Sequence, residues 1–561
     1  MNGAPPPSPP GRPGSEPRPP SRRIGIFGWG IVAPRSADVD EFEANLASGG
    51  SWLEPFDGFG PSNFLVGRPK FDFAAYRDWI DARHAPNRYP RLVEKMDPTT
   101  LYAVGAFIQA LGQNPGLDEE LTALGGAAHV YVGTGVGAFP TMYEQSIAYH
   151  RARRRWDAFW ARPERNVALA AWREEGRAPE GEPPPPDPRE VDEDDRPDAE
   201  ERWDAFWAAR SDRLADYLAD VSEIDSLAVS GEVEAGKKSL LREKQRRLAR
   251  LQEKYGAPMP PWQAVSANLL WNIANTPASQ ISIMGRITGP AWAPVAACST
   301  FGVALKLGMD AIRRGEAKAV VLGASDPPPH PLTVSAFFNA RVLAGGGVSK
   351  PLSELRGTHV SGGSAVWIVG DYEHMRAKGF RPLGLEPLGA GVSSDADHII
   401  TPSKEGPQTA IRAALAASGV DPSEIAGWDL HATATPGDYL EVENLRDLLP
   451  DSVLVTARKG TFGHGMGACG GWEMTAQHLG YARGRVHPTP LSRGELNRVI
   501  AGVHERFVFD RGEPAAPDGD GCVVGKLSMG VGGINACVIS RAWEAEAATA
   551  APAPAVPANP D

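Results

Sequence analysis

Short apolar runs rich in β-branched residues alternate along this chain with alanine-rich stretches of helical period. That alternation predicts an α/β protein whose sheets are covered by helices. Near the start, "RRIGIFGWGIV" predicts a strand, "TTLYAVGAFIQALGQ" a buried helix, and "AHVYVGTGVG" a strand running into a glycine turn. Further on, "GVALKLGMDAIRRGEAKAVVLGAS" predicts a helix, a turn at Gly315 and another strand. "QTAIRAALAASGV" predicts a helix, and "GCVVGKLSMGVGGINACVIS" a late pair of strands.

One block breaks this rhythm. From about Arg151 to Ala257 the chain is charged and carries tryptophans and prolines. Inside it, "EGEPPPPDPREVDEDDRPDAEER" is too acidic and proline-rich to fold alone. A near-repeat flanks that segment, "RRRWDAFWARPER" and "EERWDAFWAARSDR". Two copies are too few for a solenoid, so they predict two amphipathic helices, each exposing a Trp/Phe face. "KKSLLREKQRRLARLQEKY" predicts a basic helix with Leu241, Leu248, Leu251 and Tyr255 near one face. Residues 151–257 therefore read as a helical, partly acidic insertion into the α/β core. Residues 1–21 and 544–561 are rich in proline and in alanine with proline, and read as disordered tails.

Composition narrows the function. The chain has 561 residues and a net charge of -12, which argues against nucleic acid as a partner. No apolar run is long enough for a membrane span or a signal peptide. Four cysteines (Cys298, Cys469, Cys522, Cys537) make no disulfide framework and no CxxC or CxxH zinc spacing, so a cytoplasmic location and no metal are expected. No phosphate-binding or dinucleotide glycine pattern follows a convincing strand, so no cofactor is expected.

Three stretches carry candidate chemistry. In "GPAWAPVAACSTFGV" an apolar strand ends at Cys298, where a helix begins. A thiol there has the helix N-terminus to favour its thiolate. In "DLHATATPGDYLEVE" His431 follows an apolar strand, with Thr433, Thr435 and Pro436 after it. In "ARKGTFGHGMGACGGWE" Lys459 and His464 lie in a glycine-rich turn before a helix. Two histidines and a cysteine, each where a strand ends beside small residues, form a candidate catalytic set.

These stretches resemble the β-ketoacyl-acyl-carrier-protein synthases of the elongating type, within the thiolase-fold superfamily. Gly289-Pro290 to Cys298 matches the family's active-site cysteine strand. His431, Thr433, Thr435, Pro436, Gly437, Asp438 and Glu441 match its H-G-T-x-T-P-x-G-D-x-x-E motif, with Ala432 for glycine and one residue missing before Gly437. Lys459, Gly463, His464, Gly467, Ala468 and Gly470 match K-x-x-x-G-H-x-x-G-A-x-G, and "SMGVGGIN" matches S-F-G-F-G-G-x-N. The likeness covers about 22–150 and 258–543, with all four motifs in family order.

The resemblance implies a layered αβαβα thiolase fold with duplicated halves, 22–380 and 381–543. The halves are expected to meet near residue 380, where "RPLGLEPLGAGVSS" resembles "RRIGIFGWGIVAPRS". It implies decarboxylative condensation of a malonyl carrier thioester with an acyl group on Cys298, in fatty acid or polyketide biosynthesis. The backbone N–H groups of Cys298 and Met529 would form the oxyanion hole, and neutral His431 and His464 would stabilise the enolate. Lys459, paired with Glu441, would tune the second histidine. Thr433 and Thr435 would bind the pantetheine arm. Val136 stands where the family has a residue lining the acyl tunnel, and Phe301, Met529 and Val531 depart from the family pattern, which implies a reshaped pocket. The implied partners are an acyl carrier protein and a second copy of the chain. "RARRR" at Arg151–Arg155 and the basic helix are the candidate carrier-docking surfaces. The competing readings are a thiolase, which would want a second cysteine in the late turn where this chain has "SMGVGGIN", and a non-catalytic subunit like a chain-length factor. Such subunits usually lack the cysteine, which this chain keeps.

Overall fold

The computed structural model describes residues 22–60, 63–179, 181–228, 233–399, 402–515 and 522–543, with no side chains for 233–237. The tails expected at 1–21 and 544–561 lie outside the described residues. The chain divides into two compact units: Met1–Phe139 with Trp271–Asp561, and Pro140–Leu270. Among the described residues no helix is long and apolar enough to cross a membrane.

The first unit has a thiolase fold built on two five-stranded mixed sheets. In the N-terminal sheet the strands are β1 (Ile24–Val32), β2 (Ala128–Gly133), β3 (Ala291–Trp292), β4 (Ala319–Asp326) and β5 (Gly363–Asp371), in spatial order β1-β5-β4-β2-β3. In the C-terminal sheet they are β6 (Glu386–Ser394), β7 (Ile425–Asp429), β8 (Leu454–Thr456), β9 (Val523–Gly530) and β10 (Ile534–Arg541), in order β8-β7-β9-β10-β6. Read from the opposite edge, the first sheet has the same order as the second. The pairings match too: β2 lies parallel to β3 and β4, as β7 does to β8 and β9, and the remaining pairs are antiparallel.

Five layers follow from which faces are apolar. Every residue of β1, β2, β4 and β5 is buried, the signature of a sheet covered on both sides. The outer cover is α1 (Pro98–Gly112), started by Pro98 and by the Asp97 carboxylate, which accepts the Thr99 N–H. Helix α1 lies directly on β1. A Cβ added at Gly30 would sit 1.9 Å from Ala106 O, so only glycine fits under the helix there. Between the sheets run α2 (Thr300–Arg314) and, in the other half, a helix whose fourteen residues are almost all buried, Cys469–Ala482. On the far face α3 (Glu405–Ser418) packs on β6 and β10. Helix α4 (Gly437–Arg446) follows β7, and the buried Cys469–Ala482 helix is α5.

The second unit is helical and spans Pro140–Leu270, and the helix Phe139–Trp160 enters it unbroken. The aromatic faces of the near-repeat are not exposed. Trp156 and Trp160 pack with Tyr217, Ile224 and Leu251, while Trp203 and Trp207 pack with Leu169. Both copies set their aromatics alike, with Trp156 and Trp160 edge-on at 5.4 Å and Trp203 and Trp207 edge-on at 5.6 Å. The acidic segment carries a helical turn at Pro188–Glu190 and enters a helix at Arg196. In the basic helix Leu251 is buried, whereas Leu241 is exposed.

Candidate active site

Cys298 sits in a tight turn, Ala297–Ser299, that leads straight into α2. Ala297 has a φ of 47°, a left-handed conformation that non-glycine residues adopt at a cost. The turn is held by side chains. The Thr300 hydroxyl accepts from Ala296 N (3.0 Å) and donates to Ala297 O (2.8 Å). The Ser299 hydroxyl donates to Ser528 O (3.0 Å) and Ile534 O (2.7 Å), fixing the cysteine turn against the β9–β10 hairpin. Cys298 is buried.

The thiol departs from the expectation of a favoured thiolate. Burial pushes its pKa up to about 11, against the pull of Lys459 and of the Val531 backbone N–H. The helix N-terminus is a local feature, whereas desolvation depends on everything packed around the sulfur, and here desolvation wins.

His431 follows β7, and two acids of α4 shape its loop. The Glu441 carboxylate accepts the His431 N–H (2.7 Å) and the Ala432 N–H (2.8 Å). Asp438 accepts the Thr433 N–H (2.8 Å) and the Leu352 N–H (2.9 Å). The Thr433 and Thr435 hydroxyls face each other at 3.0 Å. Burial lifts Glu441 to about 7 and Asp438 to about 6.

Lys459 is not paired with Glu441. Its ammonium lies 2.6 Å from Glu473 Oε1 on α5, bonds His431 O, and lies 3.3 Å from His431 Nδ1. It therefore stands behind the first histidine rather than the second. The reason is packing: α5 brings Glu473 under the loop, while both oxygens of Glu441 are taken by backbone N–H groups. Burial works against the charge of Lys459, and Glu473 more than restores it, holding the pKa above the ordinary lysine range.

His464 lies between two bends of backbone. Its N–H donates to His359 O (2.7 Å), and its Nδ1 accepts the Met466 N–H (3.1 Å). The Phe337 ring stands edge-on to it, 6.1 Å away. Because Nδ1 accepts in His464 and faces an ammonium in His431, the proton of each neutral ring sits on Nε2. Both rings are kept neutral, chiefly by burial and then by Lys459: His464 falls to about 3 and His431 well below its ordinary value.

One ligating atom from each of Cys298, His431 and His464 lies within 4.8 Å of the others. The two rings stand at 86° with centres 5.6 Å apart. Among the described residues this is the one His/Cys/acid cluster of such closeness. The remaining named residues sit as follows. Val136 packs beside Met466, and its N–H donates to Asp326 (2.9 Å). Phe301 is fully buried with its ring edge-on to Trp367 at 5.1 Å. Met529 lies in the C-terminal core, and the Val531 side chain is exposed.

Three acids and a lysine that motif reading assigned no role complete the surroundings. Asp326 accepts from Thr134 Oγ1, Gly135 N, Val136 N and Gly467 N at 2.8–2.9 Å, tying the β2 turn to the His464 turn. Glu473 closes the sequence stretch that carries Lys459 and His464. Asp429 ends β7 and pairs with Arg458 at 2.7 Å. Lys526 is a single charge inside an otherwise apolar strand, a signal that it has a buried partner.

Residues 241–373 match the model of the β-ketoacyl synthase N-terminal domain, and residues 386–491 that of the C-terminal domain. The two matched stretches are similar to the β-ketoacyl synthases and lie on either side of the junction between the two halves. The chain is 30% identical over 216 residues to nodulation protein E of Rhizobium sp. (strain N33), covering 38% of this chain and 54% of that protein. It is 32% identical over 234 residues to 3-oxoacyl-[acyl-carrier-protein] synthase 2 of Vibrio cholerae serotype O1, covering 39% and 55%. The chain thus spans about half the length of the curated relatives it matches. Among solved structures it resembles the ishigamide ketosynthase/chain length factor, with a TM-score of 0.64 and 21% identity, over 93% of this chain and all of that one.

Proposed function

We propose that the chain is an acyltransferase, a β-ketoacyl synthase that condenses a malonyl carrier thioester with an acyl group held on Cys298. The observation that carries this reading is the convergence of a buried thiol with two neutral imidazoles whose Nε2 atoms bear the protons. In the first step the Cys298 sulfur attacks the acyl thioester carbonyl. The carrier thiol leaves with the proton, and the N–H groups of Cys298 and Met529 receive the developing oxyanion. In the second step malonyl C–C cleavage releases CO2 and leaves its electron pair in an enolate. The Nε2–H groups of His431 and His464 donate to the enolate oxygen. The enolate carbon then attacks the acyl carbonyl, and the Cys298 thiolate departs.

Neutral rings suit this task, because two imidazolium ions at this spacing would repel each other and would hand a proton to the enolate that a neutral Nε2–H only stabilises. Thr433 and Thr435 offer hydroxyls to the pantetheine arm. Val136, Phe301, Met529 and Val531 shape the acyl site. The substrates arrive on an acyl carrier protein, in fatty acid or polyketide biosynthesis, and four free cysteines fit a reducing cytoplasm. A second copy of the chain covers the edge of the N-terminal sheet, where Trp292 of β3 and nearby Val295 are more than half exposed. Retention of Cys298 speaks against a non-catalytic subunit. The test is CO2 release from malonyl carrier with and without an acyl donor. Wild-type enzyme is expected to release CO2 and form a β-ketoacyl product, and absence of both refutes the reading.

A further inference from the structure

Lys526 lies on β9, opposite Asp429 of the parallel strand β7, and is buried. Its ammonium donates to Leu430 O (3.1 Å) and Leu527 O (2.6 Å). It pairs with Glu473 Oε2 at 2.8 Å and lies 3.8 Å from Asp429 Oδ1. Each contact leads to the site. Leu430 is the residue before His431. Leu527 is two residues before Met529. Glu473 holds Lys459, which faces His431 Nδ1 and bonds its carbonyl.

We propose that Lys526 is a positioning residue for the condensation, one ammonium that clamps the His431 strand, the Met529 strand and the Glu473–Lys459 pair in register. This rests on the condensing-enzyme reading. A neutral side chain at 526 would leave Glu473 with one lysine and free the carbonyl before His431. The alternative is that Lys526 only fills and neutralises the core around Asp429, which Arg458 already pairs.

The clamp has an electrostatic consequence that separates the two. His431 feels Lys459, His464 and Lys526, with Glu441 on its backbone N–H, and His464 feels Lys459, Glu473 and Lys526. Cys298 lies within 4.8 Å of both. Lys526 is among the cations that hold both rings below their ordinary pKa, after burial and Lys459. Removing it raises both, so the rings charge at a higher pH.

The experiment uses the full chain with ring-labelled histidine, wild type and Lys526→Met. It follows ring titration by NMR, CO2 release from malonyl carrier against pH, and acyl loading of Cys298 by mass spectrometry. The variant is expected to lose about tenfold or more in CO2 release. The acid limb of its pH profile and the ring titrations are expected to move up together, with loading less affected. A folded variant with unshifted rings overturns the proposal, whether its CO2 release is unchanged or falls in step with loading. Should Lys526→Met not fold, Glu473→Gln is compared with Glu473→Gln/Lys526→Met, which removes one charge of each sign. A higher ring titration in the double variant supports the clamp, and equal titrations overturn it. Ring shifts with no CO2 release even from wild type would refute the condensing reading while leaving the Lys526 effect standing.

Discussion

In the N-terminal half, helix α2 is entered through the turn Ala297–Ser299, and in the C-terminal half α5 is entered through the turn Met466–Ala468. The first residue of each turn has a positive φ, 47° at Ala297 and 51° at Met466. The second residue is Cys298 in one turn and Gly467 in the other. A Cβ at Gly467 would lie 2.8 Å from Gly135 N and 3.0 Å from Asp326 Oδ2, so this copy of the turn has no room for a side chain. The duplicated fold thus offers the same backbone device twice. One copy presents a thiol. The other presents bare backbone, with His464 supplied from just before it and His431 from the end of β7. The charged residues divide unevenly as well: Lys459, Glu473, Glu441 and Lys526 all belong to the C-terminal half. In the proposed reaction the nucleophile and the enolate donors therefore come from different halves of one topology.

The largest expected effects separate those halves. His431→Ala and His464→Ala should each lower CO2 release from malonyl carrier by about 100-fold or more while Cys298 still loads. Cys298→Ala should abolish loading and retain CO2 release. Radiolabelled CO2 and mass spectrometry read the two steps separately, and a histidine variant that loses only loading would break the division of labour.

The next effect concerns the room in the second turn. Gly467→Ala should destabilise the protein by about 1–3 kcal/mol, because the neighbours it meets are a backbone nitrogen and a buried carboxylate. Urea unfolding measures it, and an unchanged midpoint would show that the turn can take a side chain after all.

The thiol itself is tested by pH. With its pKa pushed to about 11 by burial, Cys298 is protonated at neutral pH. Its alkylation by iodoacetamide should accelerate by about tenfold per unit from pH 7 to 9 without levelling off. A plateau below pH 8 would mean that the helix N-terminus and Lys459 outweigh burial.

The smallest effect belongs to the strained residue. Ala297→Gly accepts the positive φ at no steric cost, so stability should change by no more than about 1 kcal/mol, read as a small shift in Tm. A larger loss would mean that the alanine methyl group packs in a way the turn geometry does not suggest.

Much of the architecture was legible because it is local. Covered strands read as near-continuous apolar runs, and β1 and β6, which the sequence makes look alike, occupy the same place in the two sheets. Of the three motif residues only His431 follows closely on a strand, whereas Cys298 lies in a turn beyond the two-residue β3 and His464 follows the helical turn Lys459–Phe462, and the chain still brings them together. What stayed hidden was set by tertiary packing. The motif resemblance paired Lys459 with Glu441, and only the path of α5 under the loop gives it to Glu473 instead. The helix-dipole argument for Cys298 used one element, while the shift is governed by everything that excludes water. Lys526 carries no motif, and the residues it bonds lie mostly on other elements of the fold. The tryptophans of the near-repeat looked like exposed faces because Tyr217, Ile224 and Leu251 come later in the chain.

The central claim is that Cys298 carries the acyl group and the two histidines drive its extension. Its most direct test is mass spectrometry of the Cys298 peptide after incubation with a panel of acyl carriers, before and after malonyl carrier is added. The account predicts an acyl adduct on Cys298 that disappears on malonyl addition as the extended β-ketoacyl product forms. An adduct on Cys469 instead, or an adduct on Cys298 that malonyl carrier leaves untouched, would contradict it.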